Sequence, residues 1–362
     1  MNPIHAQDQD AEGLARWKKL EPFFHPSAVY QDQPDRYASP LKFSDGRWVD
    51  SPAAWNRRRQ EILRTWHEIM GAWPPLIAHP KLERMDTVRR ENFLQTKVRL
   101  EISPGQMSDG YLLVPDGKGQ FPAVLVPFYE PETSIGRGKE FRDFGYQLAR
   151  RGFVTLSIGS PGGDAREPVT GIATCQPLSY LAYVAANAGN ALADLPQVDA
   201  QRLGVVGHSY GGKWAMFASC LHERFACAAW SDPGIVFDES RSNVNYWDRW
   251  YLGAEPDRRR EPGIPSETNP RTGAYKKLME EGHDLHELHV LMAPRPFLVS
   301  GGSEDPPERW RALRHSVEVN RLLDHTNRVA MTNRRDHSPD AESNEQIYLF
   351  FEHFLKGAPD RD

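Results

Sequence analysis

The sequence RLGVVGHSYGG occupies residues 202–212. Its apolar residues are typical of a buried strand, and the residues that follow have the spacing of a helix. Gly207 and Gly211 flank Ser209, as a very tight turn from strand to helix requires, because larger side chains would collide there. Such a turn exposes the serine hydroxyl at the end of a sheet. Ser209 is therefore the candidate nucleophile.

Short apolar strands alternate with amphipathic helices on both sides of this turn. Continuous apolar runs indicate strands buried on both faces, and intervening helices indicate parallel pairing. The predicted fold class is α/β, a mostly parallel sheet with helices on both faces. Strands are predicted at 123–128, 153–158, 203–207, 226–230, 296–299 and 328–331, and helices at 141–151, 178–195, 211–221, 308–323 and 341–355.

The chain before residue 85 has a different pattern. It is polar and rich in tryptophan, and one helix is predicted to begin at the N-cap Ser51 and to end at Gly71. Residues 1–84 are therefore predicted to form a helical extension, and residues 85–362 the α/β domain. The β-like residues from about 87 onward include two predicted antiparallel strands, 93–102 and 111–114.

A long segment interrupts the α/β pattern at about residues 234–291. It is too long for an ordinary connection and is predicted to be an inserted cap. Its aromatic and basic residues Trp247, Arg249 and Trp250 are candidates for substrate binding, because such side chains stack on sugar rings or pair with carboxylates. Packing of the cap against the sheet domain is an equally good explanation of these residues.

Composition excludes several classes of protein and partner. The 44 basic and 49 acidic side chains give a formal charge of −5, and no long basic run indicates nucleic-acid binding. No apolar stretch approaches the roughly 18 residues of a membrane span. Three scattered cysteines do not indicate a disulfide framework. A soluble protein is predicted. Residues 4–7 are compatible with the remnant of a removed signal, so cytoplasmic and secreted or periplasmic locations both stay open, as does the oligomeric state.

A nucleophilic serine needs a base, and the base needs an acid to orient it. On this fold the expected order along the chain is serine, acid, histidine. The loop after the strand at 296–299 carries Asp305, the preferred acid, and Glu304, the runner-up. The loop after the last strand carries His337, the candidate base. Asp232 is a rival acid, because it also follows a strand at the same edge of the sheet.

The oxyanion that forms during acyl transfer needs hydrogen-bond donors. The backbone N–H of Tyr210 is predicted to be one donor, and the N–H of Tyr129 or Glu130 the other. No metal or cofactor is predicted. The histidines at 283, 286 and 289 do not share one face of a helix, and no cysteine or carboxylate spacing supports them as metal ligands.

From about residue 85 onward the chain resembles the α/β-hydrolase superfamily. Residues 198–212 and the Ala-Pro-Arg-Pro sequence at 293–296 are similar to the dienelactone hydrolase and acetylxylan esterase branches. That resemblance implies a cofactor-free serine esterase acting on an acetyl or uronoyl ester of a carbohydrate. Lys213 is similar in placement to a lysine of glucuronoyl esterases, which implies contact with the sugar. A peptidase of the prolyl-oligopeptidase type and a non-catalytic binding protein stay open as alternatives.

Overall fold

The computed structural model describes residues 3–30 and 36–357, the first eight of these by their backbone alone. Within these ranges nine strands form one sheet: β1 Leu82–Arg90, β2 Phe93–Ser103, β3 Gln106–Pro115, β4 Phe121–Pro127, β5 Val154–Ile158, β6 Val198–His208, β7 Cys227–Ser231, β8 Phe297–Gly301 and β9 Val329–Asn333. The α-helices are α1 Pro3–Leu20, α2 Pro52–Met70, α3 Phe144–Arg150, α4 Pro177–Ala193, α5 Tyr210–Leu221, α6 Gly273–Glu281, α7 His286–His289, α8 Trp310–Leu322 and α9 Ala341–Phe351.

The strands lie in the order β1-β2-β3-β5-β4-β6-β7-β8-β9. From β5 to β9 every neighbouring pair is parallel, whereas β1, β2 and β3 pair antiparallel and β3 joins β5 antiparallel. The prediction of a mostly parallel sheet is confirmed. Strand β1 was not predicted as a separate element, since most of its side chains are exposed and show no alternation of apolar and polar residues.

The two larger apolar clusters of the described residues cover the two faces of the sheet. Successive residues of one strand point to opposite faces, and in β6 Val205 belongs to one core and Val206 to the other. The first core includes residues of α2, α4, α5 and α8, and the second includes residues of α3, α9 and the end of α1. Helices therefore flank both faces, and the loops at the carboxyl ends of the parallel strands are left to form a site.

Helix α2 begins and ends where the sequence predicts. The Ser51 hydroxyl accepts a hydrogen bond from the Ala54 N–H at 3.3 Å, and Gly71 is the C-cap. Trp66 on this helix is fully buried, and its indole N–H donates to Glu287 at 3.0 Å. The N-terminal segment therefore contributes directly to the core of the sheet domain.

Replacing Ser51 by alanine is expected to lower the free energy of unfolding by about 1 kcal/mol, because the cap of α2 would lose its side-chain acceptor. Chemical denaturation measures this loss. Ser27→Ala is the matched control, since Ser27 is exposed and lies outside α2 and its cap. An equal effect of the two substitutions would contradict the role of the cap.

The segment between β7 and β8 contains α6 and α7. Tyr246, Trp247 and Tyr275 in this segment are fully buried, so much of it belongs to the core. The three cysteines are buried free thiols. Among the helices of the described residues, none has the length and apolar character that crossing a membrane would require.

Candidate active site

Ser209 lies in the turn between β6 and α5. Its φ of +55° is unfavourable for a residue with a side chain, and the neighbouring glycines make the turn possible. A Cβ atom at Gly207 would collide with the carbonyl of Gly211, and one at Gly211 would collide with the carbonyl of Pro127. The Ser209 N–H donates to the Ser231 carbonyl at 2.8 Å, which fixes the turn against β7.

His337 links the serine to a carboxylate. Its Nε2 lies 2.9 Å from the Ser209 hydroxyl oxygen, and its Nδ1 lies 2.7 Å from Oδ2 of Asp232. An ionised carboxylate only accepts hydrogen bonds, so the arrangement assigns the ring proton to Nδ1 and leaves Nε2 free to accept the serine proton. The three side chains come from the loops after β6, β7 and β9, at one edge of the sheet.

The Asp232 carboxylate is held in place by the loop that follows β8. Its Oδ1 accepts hydrogen bonds from the N–H groups of Gly302 at 2.7 Å and of Asp305 at 2.8 Å. Asp232 is fully buried and has a φ of +49°. These donors satisfy Oδ1, and Oδ2 remains directed at His337.

The preference for Asp305 over Asp232 as the partner of His337 is corrected by this geometry. The Asp305 carboxylate faces the loop after β7, where its Oδ2 accepts from Gly234 N–H at 2.8 Å and its Oδ1 from Ile235 N–H at 2.6 Å. Burial and the nearby charge of Asp232 raise the pKa of Asp305. Asp305 therefore holds the loop that carries Asp232 and does not contact the imidazole.

Glu304, the runner-up, is not bonded to the imidazole either. Its Oε1 accepts hydrogen bonds from the Asn243 amide at 3.2 Å and from the Ser303 hydroxyl at 2.8 Å. Its backbone N–H donates to the Asp232 carboxylate at 3.2 Å. Glu304 therefore joins the inserted segment to the loop after β8.

Tyr129 contributes more than a backbone group to the site. Its side chain lines the cavity into which Ser209 opens, and burial raises the pKa of its phenol. Its ring stacks on Tyr210 at 4.6 Å between ring centres. The Glu130 side chain accepts from the Thr133 hydroxyl. The backbone N–H groups of residues 129, 130 and 210 stay predictions as oxyanion donors.

His208 lies directly beside His337, with 4.7 Å between the two ring centres. It is fully buried, and its Nδ1 lies 3.2 Å from both the carbonyl and the hydroxyl oxygen of Ser231. Burial and the neighbouring His337 lower its pKa well below the usual range. A neutral His208 adds no positive charge beside His337.

Ser209 opens into a cavity of about 180 Å³. Polar, basic and aromatic side chains form its wall. The lining residues are Tyr129, Ala165, Arg166, Ser209, Tyr210, Lys213, Asn243, Asn245, Trp250 and Tyr251.

Two of the predicted substrate-binding residues, Lys213 and Trp250, line this cavity. The other two lie elsewhere. Trp247 is fully buried and packs against Tyr275, with 5.9 Å between ring centres, and Arg249 pairs with Glu167. Those two residues fit the alternative explanation, in which the inserted segment packs onto the body of the protein.

Lys213 is buried at the wall of the cavity. Its Nζ donates to the carbonyl of Pro233 at 2.7 Å and to that of Asn243 at 3.0 Å. The rings of Tyr246 and Tyr251 lie 4.9 and 5.5 Å from Nζ. Burial lowers the pKa of Lys213 to about 8, so the side chain carries a positive charge at neutral pH.

Among the described residues, the side chains of Asp232, Glu304 and His337 are spaced as metal ligands would be, with ligand atoms within 4.8 Å of one another. Both nitrogens of His337 are already hydrogen-bonded to Ser209 and Asp232. A metal bound through this histidine would have to break the link between serine and carboxylate.

Family models match two overlapping parts of the chain. Residues 84–236 match the model described as "Esterase FrsA-like", and residues 185–310 match the prolyl oligopeptidase family. No curated protein matches the chain in a sequence search.

Solved structures match nearly the whole chain at low sequence identity. A glucuronoyl esterase from Solibacter usitatus aligns with a TM-score of 0.70 and 17% identity, over 89% of this chain and 98% of that one. A CE15 glucuronoyl esterase from Teredinibacter turnerae aligns at 0.65 and 18%, over 95% and 99%. An acetyl xylan esterase from Bacteroides fragilis, described as putative, aligns at 0.58 and 13%, over 90% and 89%.

The sheet order defines an α/β protein, and the hydrogen-bonded serine, histidine and aspartate lie at the carboxyl ends of its parallel strands. The chain has the α/β-hydrolase fold, as its resemblance to that superfamily implied.

Proposed function

We propose that this protein is a serine hydrolase that cleaves carboxylic esters of carbohydrates, with an acetyl or uronoyl acyl group. The observation that carries the proposal is the chain of hydrogen bonds from Ser209 through His337 to Asp232. This arrangement supplies a nucleophile, a base and a group that orients the base. No metal or other cofactor is required by the proposed mechanism.

In the first half of the reaction, Ser209 Oγ attacks the acyl carbon and its proton moves to Nε2 of His337. Asp232 stabilises the imidazolium through the hydrogen bond to Nδ1. The imidazolium then gives its proton to the departing alcohol, and the acyl group stays on Ser209. In the second half, His337 takes a proton from water, the water oxygen attacks the acyl carbon, and the acid leaves as Ser209 recovers its proton.

Tyr129 is positioned to stabilise the oxyanion. The Tyr129 side chain lines the same cavity as Ser209, and burial raises the pKa of its phenol, so the phenol is protonated near neutral pH and can donate a hydrogen bond. In the proposed reaction the phenol donates to the negative charge as the tetrahedral intermediate forms. The backbone N–H of Tyr210 is the proposed second donor.

Two observations support a carbohydrate ester. The structures similar to this chain include glucuronoyl esterases and a protein described as an acetyl xylan esterase. The cavity beside Ser209 also presents the rings of Trp250 and Tyr251 together with the amides of Asn243 and Asn245. Aromatic faces and amides are groups on which sugar rings and hydroxyls bind.

Labelling with a fluorophosphonate, followed by a panel of esters, tests this proposal. We expect the wild-type protein to be labelled and Ser209→Ala to remain unlabelled, because the probe requires an activated serine. We expect hydrolysis of acetylated sugars or methyl uronates. A wild-type protein without label would favour the non-catalytic alternative, and activity confined to long acyl chains would exclude the carbohydrate ester.

Replacing Tyr129 by phenylalanine is expected to lower kcat about 10²- to 10³-fold, because one donor to the oxyanion is lost. Steady-state hydrolysis of the best ester of the panel measures the effect. Tyr37→Phe is the control, since Tyr37 lies outside the cavity lining. A kcat within twofold of wild type would show that the Tyr129 hydroxyl does not stabilise the transition state.

A serine peptidase is the second candidate, favoured by the match of residues 185–310 to the prolyl oligopeptidase family. The same Ser209, His337 and Asp232 would serve that reaction. A comparison of kcat/KM for proline-containing peptides with that for the sugar esters separates the two activities. Faster cleavage of the peptides would replace the esterase proposal.

A further inference from the structure

The charged side chains that line the cavity beside Ser209 are Arg166 and Lys213, and both are basic. None of the described residues that line the cavity is acidic. Lys213 is buried, and burying its charge away from water is unfavourable, whereas Arg166 is exposed to solvent. The surroundings of each cation therefore indicate what the cavity binds.

Arg166 comes from the loop between β5 and α4. The carbon at the centre of its guanidinium lies 5.6 Å from the centre of the Trp250 ring. The acidic neighbours of Arg166 in the loop are engaged elsewhere: Asp164 accepts from the Arg166 backbone N–H at 2.8 Å, and Glu167 pairs with Arg249. In the described part of the chain, no carboxylate forms an ion pair with the Arg166 guanidinium. The N–H donors of the Arg166 guanidinium are therefore available to bind a ligand.

The link between Glu167 and Arg249 also fixes the loop. Arg249 belongs to the inserted segment, so this ion pair holds the residue next to Arg166 against the wall of the cavity. Gln106 donates to the carbonyl of Val169 at 2.9 Å and anchors the far side of the loop. Arg166 is thus presented by a braced loop, as a preorganised binding group should be.

Lys213 supplies the second charge. It is only 2% exposed, and its Nζ is bonded to two backbone carbonyls. An ammonium has three N–H donors, and the two carbonyls accept from two of them. One N–H donor therefore remains for a ligand. Within the described ranges no carboxylate lies at ion-pair distance from Nζ. Its positive charge is therefore not neutralised by a direct partner.

We propose that Arg166 and Lys213 form a carboxylate-binding subsite beside Ser209, so that the preferred substrate is an ester carrying a second, ionised carboxylate. The inference rests on the proposed esterase function and narrows its substrate class. One example is an oligomer of uronic acids in which one unit carries an ester and the neighbouring unit carries a free carboxylate. The guanidinium would pair with the free carboxylate while the ester carbonyl lies at Ser209.

The test uses two disaccharides that share one cleavable bond. Both contain a galacturonic acid methyl ester. In the first it is linked to a free galacturonate, and in the second to galactose, which is neutral. Each disaccharide is assayed in two forms, with the esterified unit at the reducing end and with the esterified unit at the non-reducing end. In one of these two forms we expect the wild-type kcat/KM to be at least tenfold higher for the acidic disaccharide than for the neutral one. Only the free carboxylate of the acidic disaccharide can form a charge-assisted pair with the protein.

Arg166→Gln is expected to reduce this preference at least fivefold, and Arg166→Lys to retain part of it because the charge is kept. Arg258→Gln is the matched control, because Arg258 is an exposed arginine of the inserted segment outside the cavity lining. We expect it to keep the wild-type preference.

Equal kcat/KM for the acidic and neutral disaccharides, or a preference unchanged in Arg166→Gln, would overturn the subsite while leaving the esterase function intact. Hydrolysis of neither disaccharide would instead overturn the uronoyl-ester function, and the subsite with it. The two failures are therefore distinguishable.

Discussion

Replacing Asp232 by asparagine is expected to lower kcat about 10⁴-fold while leaving the fold in place. The amide would no longer present a charged acceptor to Nδ1 of His337, which lies 2.7 Å from the native carboxylate. The imidazole would then favour the tautomer that cannot accept the proton of Ser209. Steady-state hydrolysis measures the loss, and circular dichroism checks the fold.

Asp305→Asn is the matched comparison for this prediction. Asp305 lies in the next loop, is also fully buried and binds two backbone N–H groups, but it does not contact His337. Its replacement is expected to lower kcat less than about tenfold, and its main effect should be on stability. If Asp305→Asn lost more activity than Asp232→Asn, the assignment of the triad acid would be wrong.

Replacing His337 by alanine is expected to lower kcat about 10⁶-fold, because no base would remain within reach of the Ser209 hydroxyl. His208 cannot substitute, since it is buried and its Nδ1 lies against Ser231. The measurement is turnover of the best ester together with the rate of fluorophosphonate labelling, which should fall in parallel.

His25→Ala is the control for this substitution, because His25 is exposed and lies outside the cavity lining. It should retain wild-type turnover. A His337→Ala protein with more than about one per cent of the wild-type kcat would show that another group activates Ser209. The hydrogen-bond chain would then not describe the working enzyme.

The architecture of the sheet explains why both Asp232 and Asp305 are candidates for the acid that orients His337. Parallel strands end at the same edge, so the loops after β7 and β8 bring both carboxylates to neighbouring positions. The structure shows an exchange between these loops: Asp232 accepts from the Asp305 N–H, and Asp305 accepts from the N–H groups of Gly234 and Ile235. Each carboxylate fixes the loop of the other, and only one of them faces the imidazole.

Much of the fold could be predicted from local patterns. Ser51 and Gly71 bound α2 as expected, because a capping side chain and a C-terminal glycine act within a few residues of their own position. The elbow at Ser209 was predictable for the same reason, since the glycines on either side meet steric limits set by the turn itself. Strand β1 was less predictable, because its exposed residues carry little apolar signal.

The candidate site was predictable only in part. The sequence alone determined the class of the fold, the position of the nucleophile and the loop that carries the histidine, because those features depend on the periodicity and sterics of short segments. The tertiary structure decided which aspartate meets His337, that the Tyr129 side chain lines the cavity beside Ser209, and that Arg166 faces this cavity while Trp247 lies in the core. These outcomes depend on the direction of single side chains in loops far apart along the chain, and only the packing of the whole molecule sets those directions.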